Sequence, residues 1–233
     1  MRFDIITIFP NIFDSYLKES IVKRAQAKKL VKINIHNLRD YTIDRHKTVD
    51  DRPYGGGFGM VFMVEPILKA VTALRKVKSP AKSTGRCQSK VILLSPKGKK
   101  FDQPMARRLA KLDQVILICG RYEGVDERVA KYIADEEVSI GDYILTGGEL
   151  PAMVMVDTVT RLIPGAITQG SLEEESFSKS DKYKEYPHYT RPEQVMIKGK
   201  KRWVPKVLLS GNHQKIKEWQ EKRTKRFYSK TRP

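Results

Sequence analysis

The sequence has 233 residues, of which 40% are hydrophobic, and its 45 Lys and Arg against 27 Asp and Glu give a formal net charge of +18. This length fits one large domain or a main domain with a smaller one, and the apolar fraction excludes wholesale disorder. Apolar runs are far shorter than the roughly 18 residues of a membrane span, and no signal-peptide pattern opens the chain. The spacing of the two cysteines fits neither a metal clamp nor a redox pair. We therefore expect a cytoplasmic protein that does not contact a membrane.

Short β-rich runs alternate with helical patterns along the first part of the chain. Dense β-branched residues between turn residues predict strands at 3–9, 32–36, 91–95, 115–119 and 137–140. Amphipathic periodicity and capping signals predict helices at 20–30, 65–77, 102–112, 126–134 and 149–163. This alternation is typical of an α/β domain with a largely parallel sheet covered by helices, which we place at 1–163.

The composition changes after residue 163. A stretch rich in Ser, Glu and Gly predicts a linker at 164–175, followed by a small helical domain at 176–233 in which Asn212 caps the main helix. Residues 176–233 carry 17 basic and only 5 acidic side chains. So concentrated a positive charge favours a polyanionic partner such as a nucleic acid.

Glycine-bearing loops follow three successive predicted strands, at 95–98, 120–124 and 140–151. None of these loops carries the dinucleotide fingerprint or the P-loop motif. Open α/β sheets bind ligands where their strands end, and glycine lets the backbone approach a ligand closely. The three loops together predict a site for an adenosine-like ligand, although a tight turn would explain any one of these glycines.

Seven segments, in one order along the chain, resemble the bacterial tRNA (guanine-N1)-methyltransferases that modify guanosine 37 beside the anticodon. These segments are DRHKTVDDRPYGGG (44–57), LSP (94–96), CGRYEGVDER (119–128), SIGDY (139–143), GGELPAM (147–153), PHYTRP (187–192) and LLSGNH (208–213). The resemblance implies a SPOUT-class α/β fold with a deep C-terminal trefoil knot, S-adenosylmethionine as methyl donor, and tRNA as substrate. It also implies a homodimer whose active sites combine both chains. It leaves a Mg²⁺ requirement open, and we predict no metal site.

The resemblance also assigns binding residues by position. The methyl donor is expected to contact the three glycine-bearing loops, through Leu94, Ser95, Pro96, Gly120, Tyr122, Glu123, Gly124, Ile140, Gly141, Asp142, Tyr143, Ile144, Leu145, Gly147, Gly148 and Pro151. The tRNA is expected to contact residues before and after the linker, namely Arg52, Gly59, Ser176, His188 and Arg191.

Methylation of guanine N1 needs a base for the N1 proton and a hydrogen-bond donor for the charge that develops on O6. The resemblance assigns the second role to Arg161. The family's aspartate-serine-phenylalanine reads ESF here, at 175–177, so Glu175 of the opposite subunit is the predicted base, with Glu173 and Glu174 as alternatives. The reference pKa of glutamate, about 4.3 against 3.9 for aspartate, suits the same chemistry. The absent aspartate leaves open a non-catalytic RNA-binding protein of the same fold. A second alternative is a knotted methyltransferase with a different RNA target.

Overall fold

The computed structural model describes residues 1–75, 88–168, 170–171, 175–178, 180 and 183–229. The chain divides into two compact units, Met1–Gln169 and Gly170–Pro233. The predicted domain and linker boundaries stay predictions.

The first unit alternates strands and helices in the order that the sequence predicts. Its strands are β1 (Arg2–Thr7), β2 (Lys32–Asn37), β3 (Asp50–Asp51), β4 (Val61–Phe62), β5 (Ser89–Lys100), β6 (Gln114–Cys119) and β7 (Glu136–Ser139). Its α-helices are α1 (Ser20–Ala27), α2 (Val64–Arg75), α3 (Gln103–Leu109), α4 (Glu127–Tyr132) and α5 (Glu149–Arg161). In the described part of the chain, five strands form one sheet with the order β2-β1-β6-β5-β7, and every pairing in it is parallel.

Helices bury both faces of this sheet. On one face, Phe3, Ile5 and Leu117 pack with apolar residues of α1, α3 and α5. On the other face, Ile6 and Ile116 pack with residues of α2 and α4. All six residues of β1 and of β6 are buried, as expected for central strands of a parallel sheet covered on both sides.

The mixed α/β fold with a largely parallel sheet is thus confirmed. One strand is longer than predicted, and one two-stranded ribbon was not predicted. The predicted strand at 91–95 continues to Lys100, because β5 pairs again with β7 after a register shift between Leu94 and Lys99. The two-stranded ribbon of β3 and β4 was not predicted, since strands of two residues carry no periodic signal. The predicted helix at 65–77 extends as far as residue 75 in α2, and residues 76–77 lie outside the described part.

The chain returns from β7 to the end of β6, although β5 lies between these strands in the sheet. Gly147 forms an antiparallel bridge with Arg121, and the Gly148 amide donates a 2.9 Å hydrogen bond to the Gly120 carbonyl. The segment 140–148 therefore passes the carboxyl end of β5. The trefoil knot itself stays a prediction from the family resemblance.

The second unit contains a hairpin of β8 (Gln194–Ile197) and β9 (Lys200–Trp203), followed by the helix α6 (His213–Ser229). The predicted helix is confirmed, and Asn212 caps it, because its side-chain oxygen accepts a hydrogen bond from the Lys215 amide at 3.1 Å. The small helical unit also contains this hairpin, which was not predicted. β9 carries Lys200 and Lys201, and lysine is depleted in strands.

A buried carboxylate on β1 joins three neighbouring strands, the edge strand β2 and the central strands β1 and β6. Asp4, only 1% exposed, accepts hydrogen bonds from Asn34 at 2.9 Å and Gln114 at 2.7 Å. It also forms ion pairs with Arg2 at 2.6 Å and His36 at 2.9 Å. Burial alone would raise the pKa of the Asp4 carboxyl, but the hydrogen bonds from His36, Asn34 and Gln114 and the Arg2 charge outweigh it and lower the pKa.

Replacing this carboxylate tests its contribution to the free energy of unfolding. Asp4→Asn is expected to lower that free energy by about 3 kcal/mol at pH 7, because the buried Arg2 charge loses its partner. Since the folded-state pKa is lowered, the contribution of Asp4 is complete above the unfolded pKa of about 3.9 and is lost as the pH falls through the folded value. Urea unfolding at several pH values should therefore show the two proteins converging below about pH 4.

The exposed Asp14, which pairs only with Lys18 among the ion pairs seen, offers a matched control. Asp14→Asn should change the unfolding free energy by less than about 1 kcal/mol at either pH. A constant difference between Asp4→Asn and the parent protein across the acid range would contradict the lowered pKa.

Candidate functional site

A cavity of about 280 Å³ opens at the carboxyl edge of the parallel sheet. Its walls are formed by the middle of β5, the end of β7 and the loops that follow β6 and β7. The volume is close to the lower end of the roughly 300–1,000 Å³ typical of small-molecule sites. This edge of an open α/β sheet is where such folds bind their ligands.

Fifteen of the sixteen residues predicted to bind a methyl donor line this one cavity. They are Leu94, Ser95, Pro96, Gly120, Tyr122, Glu123, Gly124, Ile140, Gly141, Tyr143, Ile144, Leu145, Gly147, Gly148 and Pro151. Asp142 is not among the lining residues, because its exposed carboxylate pairs instead with Lys100 at the end of β5. The structure thus brings together loops that lie up to 57 positions apart in the sequence, from residue 94 to residue 151.

The wall formed by β5 depends on an interruption of its pairing. Between Leu94 and Lys99 the strand leaves the β7 ladder, and Ser95, Pro96 and Lys97 line the cavity there. Gly98 lies against the backbone of Glu137 and Val138, where a Cβ atom would overlap main-chain atoms. Only glycine therefore lets β5 resume its pairing with β7 directly after the cavity wall.

The floor of the cavity is closed by equally tight backbone packing. A Cβ atom on Gly148 would lie 2.7 Å from the Cα atom of Cys119, the last residue of β6. Burial, together with the nearby Glu149 charge, raises the pKa of the Cys119 thiol well above its usual value. The thiol therefore stays protonated at neutral pH and is not a nucleophile.

A buried carboxylate fixes the elements around this floor to one another. Glu149, the first residue of α5, is 2% exposed. Its Oε1 accepts a 2.7 Å hydrogen bond from the Thr7 hydroxyl at the end of β1, and its Oε2 accepts a 3.0 Å bond from Nε of Arg121 in the loop after β6. The Arg121 guanidinium also lies 4.5 Å from the centre of the Phe9 ring. We call Glu149, Arg121 and Thr7 the Glu149 clamp.

No sequence pattern predicted a role for any member of the Glu149 clamp. A signal was nevertheless present, because Glu149 follows two glycines at the start of a helix, where a carboxylate is favoured by the helix dipole. Its partners could not be identified from spacing, since Thr7 lies 142 positions away.

The two predicted catalytic residues belong to different units. Arg161 is half-buried at the last position of α5, in the first unit. Glu175 is half-buried in the second unit, and its carbonyl oxygen accepts a 3.0 Å hydrogen bond from the Ser178 amide. Glu173 and Glu174, the alternative bases, lie outside the described residues. The catalytic roles stay predictions.

Two of the predicted RNA contacts lie in the first unit. Arg52 is exposed directly after β3. Gly59, with a φ of +83°, adjoins the cavity-lining Glu123, since a Cβ atom on Gly59 would lie 2.6 Å from Cγ of that glutamate. The expected RNA residue Gly59 and the expected donor-site residue Glu123 are therefore direct neighbours.

The other three predicted RNA contacts lie in the second unit. The Ser176 hydroxyl accepts a 3.1 Å hydrogen bond from the Glu185 amide, and the His188 ring lies 2.8 Å from the Glu185 carboxylate. Arg191 is exposed. Glu185 thus links Ser176 and His188, and RNA binding by these residues stays a prediction.

Neither a metal centre nor a membrane span is found in the part of the chain that the structure describes. No group of three or more His, Cys, Asp or Glu side chains among these residues is placed to hold a metal ion. None of the helices seen there combines the length and the apolar character needed to cross a bilayer.

The fold and the cavity define an α/β protein with an open cavity at the carboxyl edge of a parallel sheet. Over residues 1–233, the chain matches the family model described as tRNA (Guanine-1)-methyltransferase TrmD, and it belongs to this family.

Curated relatives extend over almost the whole chain. The tRNA (guanine-N(1)-)-methyltransferase of Carboxydothermus hydrogenoformans is 52% identical over 225 residues, covering 96% of this chain and 83% of the relative. The protein of the same name from Clostridioides difficile is 48% identical over 236 residues, covering 100% of this chain and 96% of the relative. The protein of the same name from Dictyoglomus turgidum is 54% identical over 223 residues, covering 95% of this chain and 84% of the relative.

Neutralising the Glu149 clamp is expected to destabilise the first unit. In Glu149→Gln, Arg121 loses a charged partner at a site where its side chain is only 19% exposed, so the free energy of unfolding should fall by about 2–4 kcal/mol. The measurement is urea unfolding at pH 7. Glu123→Gln makes the same chemical change at an exposed position in the neighbouring loop and should cost less than about 0.5 kcal/mol. Equal stability of the two variants would contradict the structural role of the clamp.

Proposed function

We propose that this chain transfers the methyl group of S-adenosylmethionine to N1 of guanosine 37 in tRNA. Membership of the TrmD family and relatives named tRNA (guanine-N(1)-)-methyltransferase support this activity. The observation that carries the proposal is the cavity, because fifteen residues assigned to the methyl donor by resemblance line one pocket at the carboxyl edge of the sheet.

The lining chemistry suits this donor. The apolar side chains of Leu94, Ile140 and Leu145 can cover an adenine ring, and glycines allow close approach of the backbone. Glu123, Glu127 and Glu137 line the cavity beside Lys97 and Arg121, and the acidic residues favour a cationic sulfonium. When bound, S-adenosylmethionine supplies an electrophilic methyl group.

The acid–base chemistry is assigned to Arg161 of one subunit and Glu175 of the opposite subunit. The Glu175 carboxylate accepts the proton from guanine N1, so that the nitrogen lone pair becomes the nucleophile. The Arg161 guanidinium donates hydrogen bonds to O6, where negative charge develops, and its planar shape presents two donors at once. Both groups act on the guanine, and neither forms a covalent bond to it.

We further propose that the active form is a homodimer in the cytoplasm. Leu150 and Val154 of α5, four positions apart on one helix face, are 54% and 42% exposed. Ile12, in a turn that packs against α5, is 38% exposed. A second copy of this chain is the occupant that we assign to this apolar face, since it adjoins the cavity residue Pro151 and the family resemblance implies a shared active site.

A methyl-transfer assay tests the activity and its specificity together. The purified protein with S-adenosylmethionine is expected to methylate a tRNA transcript carrying guanosine 37, and the rate should fall at least about 100-fold when adenosine replaces it. Modification at N1 should be identified by nucleoside mass spectrometry. Methylation that ignores base 37 would indicate a different RNA target, whereas donor binding without methylation would indicate a non-catalytic RNA-binding protein.

The assignment of the base is tested by Glu175→Gln, which keeps the size of the side chain but cannot take up the proton. Turnover is expected to fall by about 10²–10⁴-fold, while the dissociation constant for S-adenosylmethionine, measured by calorimetry, stays unchanged. Glu193→Gln changes an exposed carboxylate elsewhere in the second unit and should turn over normally. Near-normal turnover of Glu175→Gln would remove Glu175 from this role.

A further inference from the structure

The hairpin of the second unit has an unusual turn. Lys198 and Gly199 connect β8 to β9 with φ values of +52° and +68°. Positive φ at both central positions is typical of a type I′ turn, in which asparagine or glycine is preferred at the first position. Lysine in a left-handed conformation is uncommon and costs conformational energy. This turn therefore holds a cation at the tip, where asparagine or glycine would fit the backbone better.

The rest of the hairpin is exposed and strongly cationic. Besides Lys198, it carries Lys200, Lys201 and Arg202, and no acidic residue occurs from position 194 to 203. Each residue of β9 is exposed. Like charges this close repel one another unless an anionic partner neutralises them.

The strand register sorts the side chains onto two faces. Gln194 lies opposite Trp203, and Met196 lies opposite Lys201, so these four residues share one face. Met196 is 64% exposed and Trp203 is 61% exposed. We call Met196, Lys201 and Trp203 the hairpin face. It combines a large apolar surface with a cation, whereas smaller Val195 and Ile197 lie on the opposite face with Lys200 and Arg202.

We propose that the hairpin face binds unpaired bases of an RNA loop, with the Trp203 indole as the stacking surface. Specific recognition of RNA relies on unstacked bases that pack on aromatic side chains, while cations contact the phosphates. The concentration of positive charge favours RNA over a second copy of this hairpin, which would bring eight cations together. This inference rests on the proposed function and adds a binding surface to it.

Affinity for a tRNA anticodon stem-loop, measured by filter binding, provides the first test. Trp203→Ala should bind this RNA about 5- to 100-fold more weakly, and Trp203→Phe should recover most of the affinity, because phenylalanine keeps an aromatic ring. Ile197→Ala, the matched control on the opposite face, should bind like the parent protein. For a continuous RNA duplex of the same length, Trp203→Ala and the parent protein should have equal affinity, because the duplex offers no unpaired base.

Fluorescence reports on the stacking itself. The chain has two tryptophans, so Trp219→Phe leaves Trp203 as the single indole. Adding the stem-loop should quench this emission, and adding the duplex should leave it nearly unchanged. Quenching by both RNAs to the same extent would overturn the stacking assignment.

The outcomes separate this inference from the proposed function. If the parent protein methylates guanosine 37 but Trp203→Ala binds the stem-loop with unchanged affinity, the hairpin face does not bind unpaired bases and the proposed function stands. If Trp203→Ala instead alters the sedimentation of the RNA-free protein, the face is a protein interface and the inference fails. If the parent protein methylates no tRNA, the proposed function fails, whatever the hairpin binds.

Discussion

The Glu149 carboxylate is the interaction on which the geometry of the cavity depends. One side-chain oxygen holds the end of β1 through Thr7, the other holds the loop after β6 through Arg121, and the residue itself starts α5. Three elements that are distant in sequence therefore meet at one buried ion pair. Such a pair adds little net stability compared with apolar packing, but breaking it is costly, because one charge is left buried alone. Its value lies in fixing the relative position of the loops around the ligand site.

Tight backbone contacts complement this ion pair. Gly148 packs against Cys119, and Gly98 packs against the β7 backbone, at distances that leave no room for a side chain. The cavity is thus defined by hydrogen bonds and by the absence of Cβ atoms as much as by its lining side chains. The glycines that the sequence presents as loop residues are, in the fold, points where two backbones touch.

The sequence predicted the parallel sheet and the cavity well, because both depend on local pattern. Strands such as β6 are short apolar runs between turn residues, and loops after parallel strands must meet at one edge. Pairings between distant residues leave no such signal, so the Thr7–Glu149 bond and the second half of β5 were not predicted. The hairpin was missed for a different reason: the cations of β9 and of the turn are typical of a solvated loop, and the strands are established by the antiparallel pairing of β8 with β9. Arg161 and Glu175 came from resemblance alone, since neither has a distinctive local pattern.

The return of β5 to the β7 ladder also bears on how a ligand reaches the cavity. Residues 95–97 form a wall that is anchored on both sides, by the pairing up to Leu94 and again from Lys99. Such a wall cannot swing outward without breaking hydrogen bonds of the sheet. The opposite side is different, because Tyr143 and Ile144 are 55% and 81% exposed and lie in a loop with few backbone bonds. Widening of the cavity at the segment 140–147 would therefore break fewer backbone hydrogen bonds than movement of the β5 wall, which the sheet holds on both sides.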